Sequence, residues 1–376
     1  KRANGTDDGA TVGENRLNYI RGDQSKEGTG TVYRQRKSRQ GDIVNSVVWY
    51  TGAPASSYAL KGYSTFISTN SKRTPMIYVG GNDGMLHGFS ASDGSEKIAY
   101  VPQGVIPSLS KLTAPEYNEQ HRYFVDGSPM TGDVDTGTGI QDPNDKDYNP
   151  AYVPDWRTLL VGTLGAGGKG YFVLDVTTPS AFAESEATSL VKLDRTRSTE
   201  SGSAPDCTQS SLTDGQKAAC NKAAAEDNDI GHITAHPVTD TNNSMRAAQI
   251  TRMNNNRWAV VLGNGYNSAN QRPVLLIQYL GADPKGNAAG DKALLRIPTT
   301  GTVEVPPETG KGLANDNGLS APRLVDLNGD GRVDIAYAGD NQGNLWKFDL
   351  LSTDDANWGV AFSGSPLFTA KGGTQG

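Results

Sequence analysis

The chain has 376 residues with 45 glycines and 19 prolines, about one residue in six, a density of turn formers that excludes a helical bundle. Hydrophobic residues make up 35%, enough to bury a core, yet no apolar run approaches the ~18 residues of a membrane span, so the chain is expected to be soluble. The net charge is −6 with the acidic residues scattered, which argues against nucleic acid as a partner.

Residues 1–30 are polar and Gly-rich and read as an extended N-terminal arm. Residues 1–9 have no apolar h-region, so no signal peptide is expected within them, and the chain reads as a piece of something larger. The arm carries Arg21-Gly22-Asp23, the integrin-recognition tripeptide, for which a plain structural turn is the competing reading. From residue 31 to 376 one pattern recurs four times: an alternating apolar run ending in Gly, a polar turn, and a second run. The four runs end at Gly80, Gly162, Gly263 and Gly339, and their partners are 85–89, 170–175, 274–279 and 344–349. Hairpins of this kind need such turns.

A further strand is expected before each hairpin, at 44–50, 127–133, 235–240 and 321–326, the last three carrying Pro129, Pro237 and Pro322. Outer strands are visible at 97–101 and 366–370. Inner strand, hairpin and outer strand, repeated, describe a β-propeller blade. The fold expected is therefore all-β, a modified propeller over residues 31–376 with long inserted loops, because the repeats lie further apart than the ~40–50 residues of a plain blade. One insertion, at about 181–228, is Ala/Ser/Glu/Lys-rich, and 215–227 reads as a short helix. It holds Cys207 and Cys220, read as a disulfide of an oxidising compartment, with two buried thiols as the alternative. Such a bridge would restrain an exposed loop rather than staple the core. The stretch 142–149 reads as an acidic exposed loop, and after 366–370 the chain stops on 371–376 with no closing blade, so the ring is expected to be incomplete.

The sharpest chemical signal is Asp326-Leu327-Asn328-Gly329-Asp330-Gly331-Arg332-Val333-Asp334. Ca²⁺ takes six to eight oxygens, and alternate residues of a tight loop can aim at one centre. Here Asp326, Asn328, Asp330 and Asp334 offer side-chain oxygens, Arg332 its carbonyl, and Gly331 the bend. The EF-hand places a glutamate at position 12, where this chain has Tyr337; Asp334 at position 9 closes the loop instead and begins a strand. An Asx-rich hairpin turn is the plainer alternative, against which stands the mutual repulsion of three carboxylates in an empty turn. The segment 133–139 occupies the matching place in an earlier blade but lacks the later oxygens, and reads as a turn. His232 and His236 read as lining a strand, and no nucleophile elbow, Walker loop or dinucleotide fingerprint is present; Gly165–Gly170 joins two strands with no helix N-terminus to cradle phosphate.

The segment Tyr78–Gly94 resembles the repeat of quinoprotein-type propellers. Residues 17–23, 41–46, the Gly80–Phe89 hairpin, 126–129 and Ser320-Ala321-Pro322 running into Asp326–Asp334 together resemble the C-terminal domain of the PilC/PilY family, type IV pilus biogenesis factors and tip adhesins. The resemblance implies a propeller of seven-bladed type and a single Ca²⁺ at Asp326, Asn328, Asp330, Arg332 and Asp334. It also implies display on the pilus tip or outer surface after periplasmic transit, minor pilins and a host or abiotic surface as partners, and calcium control of pilus extension and retraction, twitching motility and attachment. It implies no catalysis. Two other readings compete. A quinoprotein-like dehydrogenase would require a vicinal Cys-Cys that is absent, and a propeller lectin would stack sugars on Trp49, Trp156, Trp258, Trp346 and Trp358.

Overall fold

In the computed structural model, which describes residues 9–28, 33–140, 148–198, 207–241, 243–283, 292–299 and 317–370, each recurrent hairpin sits at the centre of an antiparallel sheet. A helix α1 (Gly9–Ile20) precedes the first sheet, which is ordered β1 (Trp49–Thr51), β2 (Met76–Gly80), β3 (Leu86–Ser90), β4 (Glu96–Tyr100), with α2 (Tyr63–Thr69) between its first two strands. The second is β5 (Met130–Asp135), β6 (Trp156–Thr163), β7 (Tyr171–Asp175), β8 (Val191–Asp194), with the one-turn helix α3 (Ala187–Leu190) before the last strand. After α4 (Asp214–Asp227) comes the third sheet, β9 (Ile250–Met253), β10 (Trp258–Gly263), β11 (Val274–Tyr279) and β12 (Leu294–Pro298). The fourth has β13 (Arg323–Val325), β15 (Ile335–Gly339) and β16 (Asn344–Asp349), with the short β17 (Gly359–Val360) and β18 (Phe368–Thr369) both on β16. Between β13 and β15, β14 (Arg332–Val333) leaves its own sheet and pairs in parallel with β9 of the third.

The central strands of the second and third sheets read as nearly continuous apolar runs because both their faces are covered, whereas β16 of the fourth alternates buried with half-buried or exposed residues. Successive side chains of a strand point to opposite faces. In β6, Leu159 and Val161 enter one core while Leu160 enters the next. In β10, Val260 and Leu262 share the first of these cores, and Ala259 and Val261 face a third, packed with Ala336, Trp346 and Phe348 of the fourth sheet. The sheets are thus stacked face to face like propeller blades, each core lying between neighbours. The four sheets do not close a ring.

Several local expectations are corrected. The N-terminal segment is not extended over residues 9–20: it is helical, because Tyr19 and Ile20 gain burial against Tyr33, Leu112 and Tyr117, a tertiary gain that outweighs its poor local propensity. Residues 1–8, 29 and 30 of the arm lie outside the described residues. Of the run 44–50 only Trp49 and Tyr50 are in a strand, while Val44, Val47 and Val48 are exposed. The inner strand of the third sheet is β9, not 235–240, where Thr239 makes a single bridge to Ala247. The strand expected at 127–133 is present as β5, which runs on through Asp135 and so takes in the start of the segment 133–139 expected to be a turn. Asp133 and Asp135 are buried because partners are supplied: Tyr63 Oη donates to Asp133 at 2.7 Å and Thr158 Oγ1 at 2.6 Å, and Tyr152 Oη donates to Asp135 at 2.8 Å. Of the acidic stretch at 142–149, residues 142–147 lie outside the described residues, as do 371–376.

Candidate functional site

The segment Asp326–Asp334 leaves β13 and re-enters the sheet at β15. Two glycines turn it: Gly329 has φ 78° and Gly331 φ 81°, left-handed backbone that residues bearing a β-carbon rarely adopt. Asp326 organises the turn, its Oδ1 accepting the Gly329 N–H at 2.7 Å and its Oδ2 the Gly331 N–H at 2.8 Å. Asn328 Oδ1 accepts from the Asp330 N–H and Asp330 Oδ1 from the Arg332 N–H, both at 2.9 Å. Those three side chains are exposed. Asp334, which closes the loop, is 1% exposed; its Oδ2 accepts the Leu327 N–H at 2.8 Å and its Oδ1 the Asn254 side-chain amide at 2.9 Å.

The residues fit a hard cation by donor chemistry: three carboxylates, one amide oxygen and the Arg332 carbonyl, with no nitrogen or sulfur donor in the set. Among the described residues no group of three or more His, Cys, Asp or Glu side chains is placed to hold a metal ion, Asp326, Asp330 and Asp334 included. The carboxylates are engaged with loop amides, and each oxygen retains a second lone pair.

One contributor escaped the sequence reading. Asn254 lies in the turn after β9, and its Nδ2 reaches not only Asp334 but also the carbonyls of Val333 at 2.9 Å and Leu350 at 3.0 Å. Together with the parallel pairing of Arg332 with Arg252 and Val333 with Met253, it fastens the loop to the neighbouring sheet. The run Asn254-Asn255-Asn256 was the available signal, a turn cluster directly before the apolar run of β10.

Arg21-Gly22-Asp23 caps α1. The Gly22 N–H donates to the Tyr19 carbonyl at 3.0 Å and the Asp23 N–H to the Asn18 carbonyl at 2.9 Å, the paired bonds of a Schellman motif, with Gly22 at φ 101° as the motif requires. Both charged side chains are engaged. Arg21 pairs with Glu184 at 2.9 Å, and Asp23 accepts from the Ser25 N–H at 2.7 Å and its hydroxyl at 3.0 Å, which lowers the carboxyl's pKa.

The insertion forms α4, started by a reciprocal capping box between Thr213 and Gln216. Cys207 and Cys220 are joined, with Cα atoms 5.6 Å apart. The outer face of the helix is exposed, but its end is not free. Glu226 and Asp227 hold Arg195 at 2.5 and 3.1 Å, Asp227 also pairs with Arg197, and these arginines directly follow β8. Asp229, fully buried, takes Arg272 at 2.9 Å and Arg296 of β12 at 2.7 Å. Burial alone would raise its pKa, yet hydrogen bonds from Arg272 and Asn270 and the charges of Arg272 and Arg296 leave it below the usual carboxylate value.

The remaining candidates are placed apart. His232 is buried, with Nδ1 2.8 Å from the Gly165 carbonyl, and forms a bridge with Tyr266; His236 Nδ1 lies 3.1 Å from Ser128 Oγ. All five tryptophans are buried, Trp156 and Trp258 edge-on to each other at 5.6 Å, so none offers an open sugar-stacking face. The residues Gly165–Gly167 form one 3₁₀ turn between β6 and β7. Among the described residues no helix is long and apolar enough to cross a membrane.

Comparison with known proteins follows the same outline. The family model of the PilY1 beta-propeller domain matches residues 40–201 and 225–367, on either side of the cysteine pair. The type IV pilus biogenesis factor PilY1 of Pseudomonas aeruginosa (strain PAK) is 35% identical over 384 residues, covering 96% of this chain and 26% of that protein. A PilY1 homolog of Xylella fastidiosa (strain Temecula1) is 33% identical over 387 residues, covering 97% of this chain and 22% of its own length. This chain therefore spans about a quarter of the curated relatives it matches. The crystal structure of the P. aeruginosa PilY1 C-terminal domain superposes with a TM-score of 0.54 at 30% identity, covering 86% of this chain and 52% of that one. With its stacked antiparallel sheets and this match across most of its length, the chain belongs to the PilY1 β-propeller domain family.

Proposed function

We propose that this chain is a calcium-binding, non-enzymatic module of a type IV pilus biogenesis factor and adhesin, carried through the periplasm to the pilus tip or cell surface. There it would meet minor pilins on one side and a host or abiotic surface on the other. The observation that carries the calcium reading is the Asp326–Asp334 loop, five oxygen donors at alternate positions along a glycine-turned segment; the pilus reading rests on relatives named as biogenesis factors. The side chains of Asp326, Asn328, Asp330 and Asp334 and the Arg332 carbonyl would hold the ion. Bound Ca²⁺ would supply positive charge that offsets the repulsion of three carboxylates.

Because β14 and Asn254 fasten the same loop to the third sheet, occupancy bears on how the third and fourth sheets are joined. That coupling is the route by which an ion could bias pilus extension against retraction, and with them twitching motility and attachment. In an integrin role for Arg21-Gly22-Asp23 the exposed Arg21 and Asp23 side chains would exchange their contacts with Glu184 and Ser25 for the partner's.

The test uses Asp330→Ala, whose side chain is exposed and accepts one loop amide. Calcium titration calorimetry should show at least a tenfold weaker affinity. Complementation of a pilus-deficient host with the same variant should change surface pili and motility. Unchanged calcium affinity would overturn the site, and weakened affinity with wild-type pili and motility would overturn the regulatory role.

A further inference from the structure

We propose that the cleft between α1, the segment 34–42 and the turn around residues 117–121 binds an oxyanion of the sulfate or phosphate class. The cleft is a cavity of about 410 Å³, and four of its lining residues are the cations Arg34, Arg36, Lys37 and Arg39, set close together in a chain whose net charge is −6. Two of the four are already engaged. Arg36 pairs with Glu27 at 2.5 Å, both side chains buried, and lies 3.7 Å over the Tyr19 ring. Arg34 donates to Asn118 Oδ1 at 2.9 Å and lies 4.5 Å over the Tyr117 ring, while its buried Nε has no hydrogen-bond partner.

Lys37 and Arg39 differ from these. Both are exposed on the cleft, and among the described residues neither makes an ion pair or side-chain hydrogen bond. The two carboxylates of the cleft wall are committed to other groups. Asp42 pairs with His121 at 2.9 Å and accepts from Asn82 at 2.9 Å; Asp83 pairs with His87 at 3.0 Å and accepts the Gly41 N–H at 2.6 Å. The cleft thus holds two cations without an ion pair, Arg39 in the field of Asp23, beside Arg34, whose Nε is unpaired.

Guanidinium and ammonium groups only donate, and the guanidinium fork matches a tetrahedral or carboxylate oxyanion. The Tyr19 and Tyr117 faces are covered by Arg36 and Arg34, which removes the stacking surface an aromatic ligand would use. What fits is a compact anion with several acceptor oxygens. It can arrive free, as inorganic phosphate or sulfate, or as a sulfate ester on a polysaccharide; the site chemistry is the same for both.

The experiment is calorimetry in 150 mM salt with a chelator present, which separates its outcome from the calcium reading. The probes are inorganic phosphate, inorganic sulfate and a sulfated hexasaccharide. The double variant Lys37→Ala/Arg39→Ala should weaken binding at least tenfold with an unchanged circular-dichroism spectrum, because neither side chain holds the fold. Arg34→Lys, which keeps the charge and loses the fork, should weaken it several-fold, and the distant exposed Lys72→Ala should leave it unchanged. Saturable binding of a free ion that is lost in the double variant supports the site with a free anion as its ligand; binding of the hexasaccharide alone, lost in the same way, supports it with a polymer-borne ester. No saturable binding to any probe, or binding indifferent to the double variant, overturns it.

Discussion

Asp334→Ala should destabilise the domain even when no calcium can bind. Its carboxylate is buried and accepts two hydrogen bonds, from the Leu327 N–H at 2.8 Å and the Asn254 amide at 2.9 Å. A hydrogen bond to a charged acceptor contributes about 1.5–3 kcal/mol, and truncation also leaves the Leu327 donor short of its partner. A loss of about 3 kcal/mol in chelator is therefore expected, measured by urea unfolding. Asp330→Ala removes an exposed side chain that accepts only from the Arg332 N–H and sits 3.6 Å from the Arg332 guanidinium, and should change stability in chelator by less than ~1 kcal/mol. Calcium at a hundred times its dissociation constant should add about 2.7 kcal/mol to the wild type. At the same calcium concentration, a tenfold weaker affinity would cut that increment in Asp330→Ala to about 1.4 kcal/mol, and a weaker one further. If Asp334→Ala unfolds in chelator within ~0.5 kcal/mol of the wild type, the structural role assigned to Asp334 is wrong, and its effects on pili can be ascribed to the ion alone.

Asp229→Ala would leave Arg272 and Arg296 without their shared counter-charge and should cost about 3–5 kcal/mol in the same assay. Because the folded pKa of Asp229 is lowered, its contribution is present above the ordinary aspartate value and fades as pH falls through the folded one; acid titration of wild type and variant should converge. His87 is held between Asp83 at 3.0 Å and Glu96 at 2.6 Å. Burial alone would lower its pKa, but the two carboxylates, Asp83 foremost, raise it overall. Its stabilisation is complete below ~6.5, the ordinary histidine value, and is lost as pH rises through the folded value, so the melting temperature should fall over that window in the wild type and stay flatter in His87→Gln. Gly22→Ala forces a β-carbon into φ 101° at the end of α1 and should cost ~1 kcal/mol or more; equal stability would refute the cap assignment.

The legible parts of the sequence were those where one local rule acts alone. The hairpins of β6–β7 and β10–β11 were readable because strands with two covered faces appear as nearly unbroken apolar runs, and those of β2–β3 and β15–β16 because apolar residues recur beside Gly- and Asn-containing turns. The spacing of Asp326 to Asp334 was readable because every member lies on one short segment. What failed depended on distant partners. Asp133 and Asp135 have turn-forming side chains, and only Tyr63, Thr158 and Tyr152, far off in sequence, make them strand residues. β9 reads Ile-Thr-Arg-Met, too short and too polar to stand out, and α1 is held by burial of Tyr19 and Ile20 rather than by propensity. The basic residues from Arg34 to Arg39 went unread because what gives them meaning is the cleft they line, which no local pattern shows.

Propeller blades usually meet only through side chains, which can be peeled apart contact by contact. Here the third and fourth sheets are also linked by main-chain pairing of β14 with β9 and by the Asn254 amide, whose two protons are shared among three acceptors. A pull that separates these two sheets must shear parallel backbone hydrogen bonds together, a stiffer response than peeling, whereas no main-chain strand pairing crosses between the other sheets among the described residues. Tension between these two sheets is therefore carried in part by the backbone at the loop that closes on Asp334.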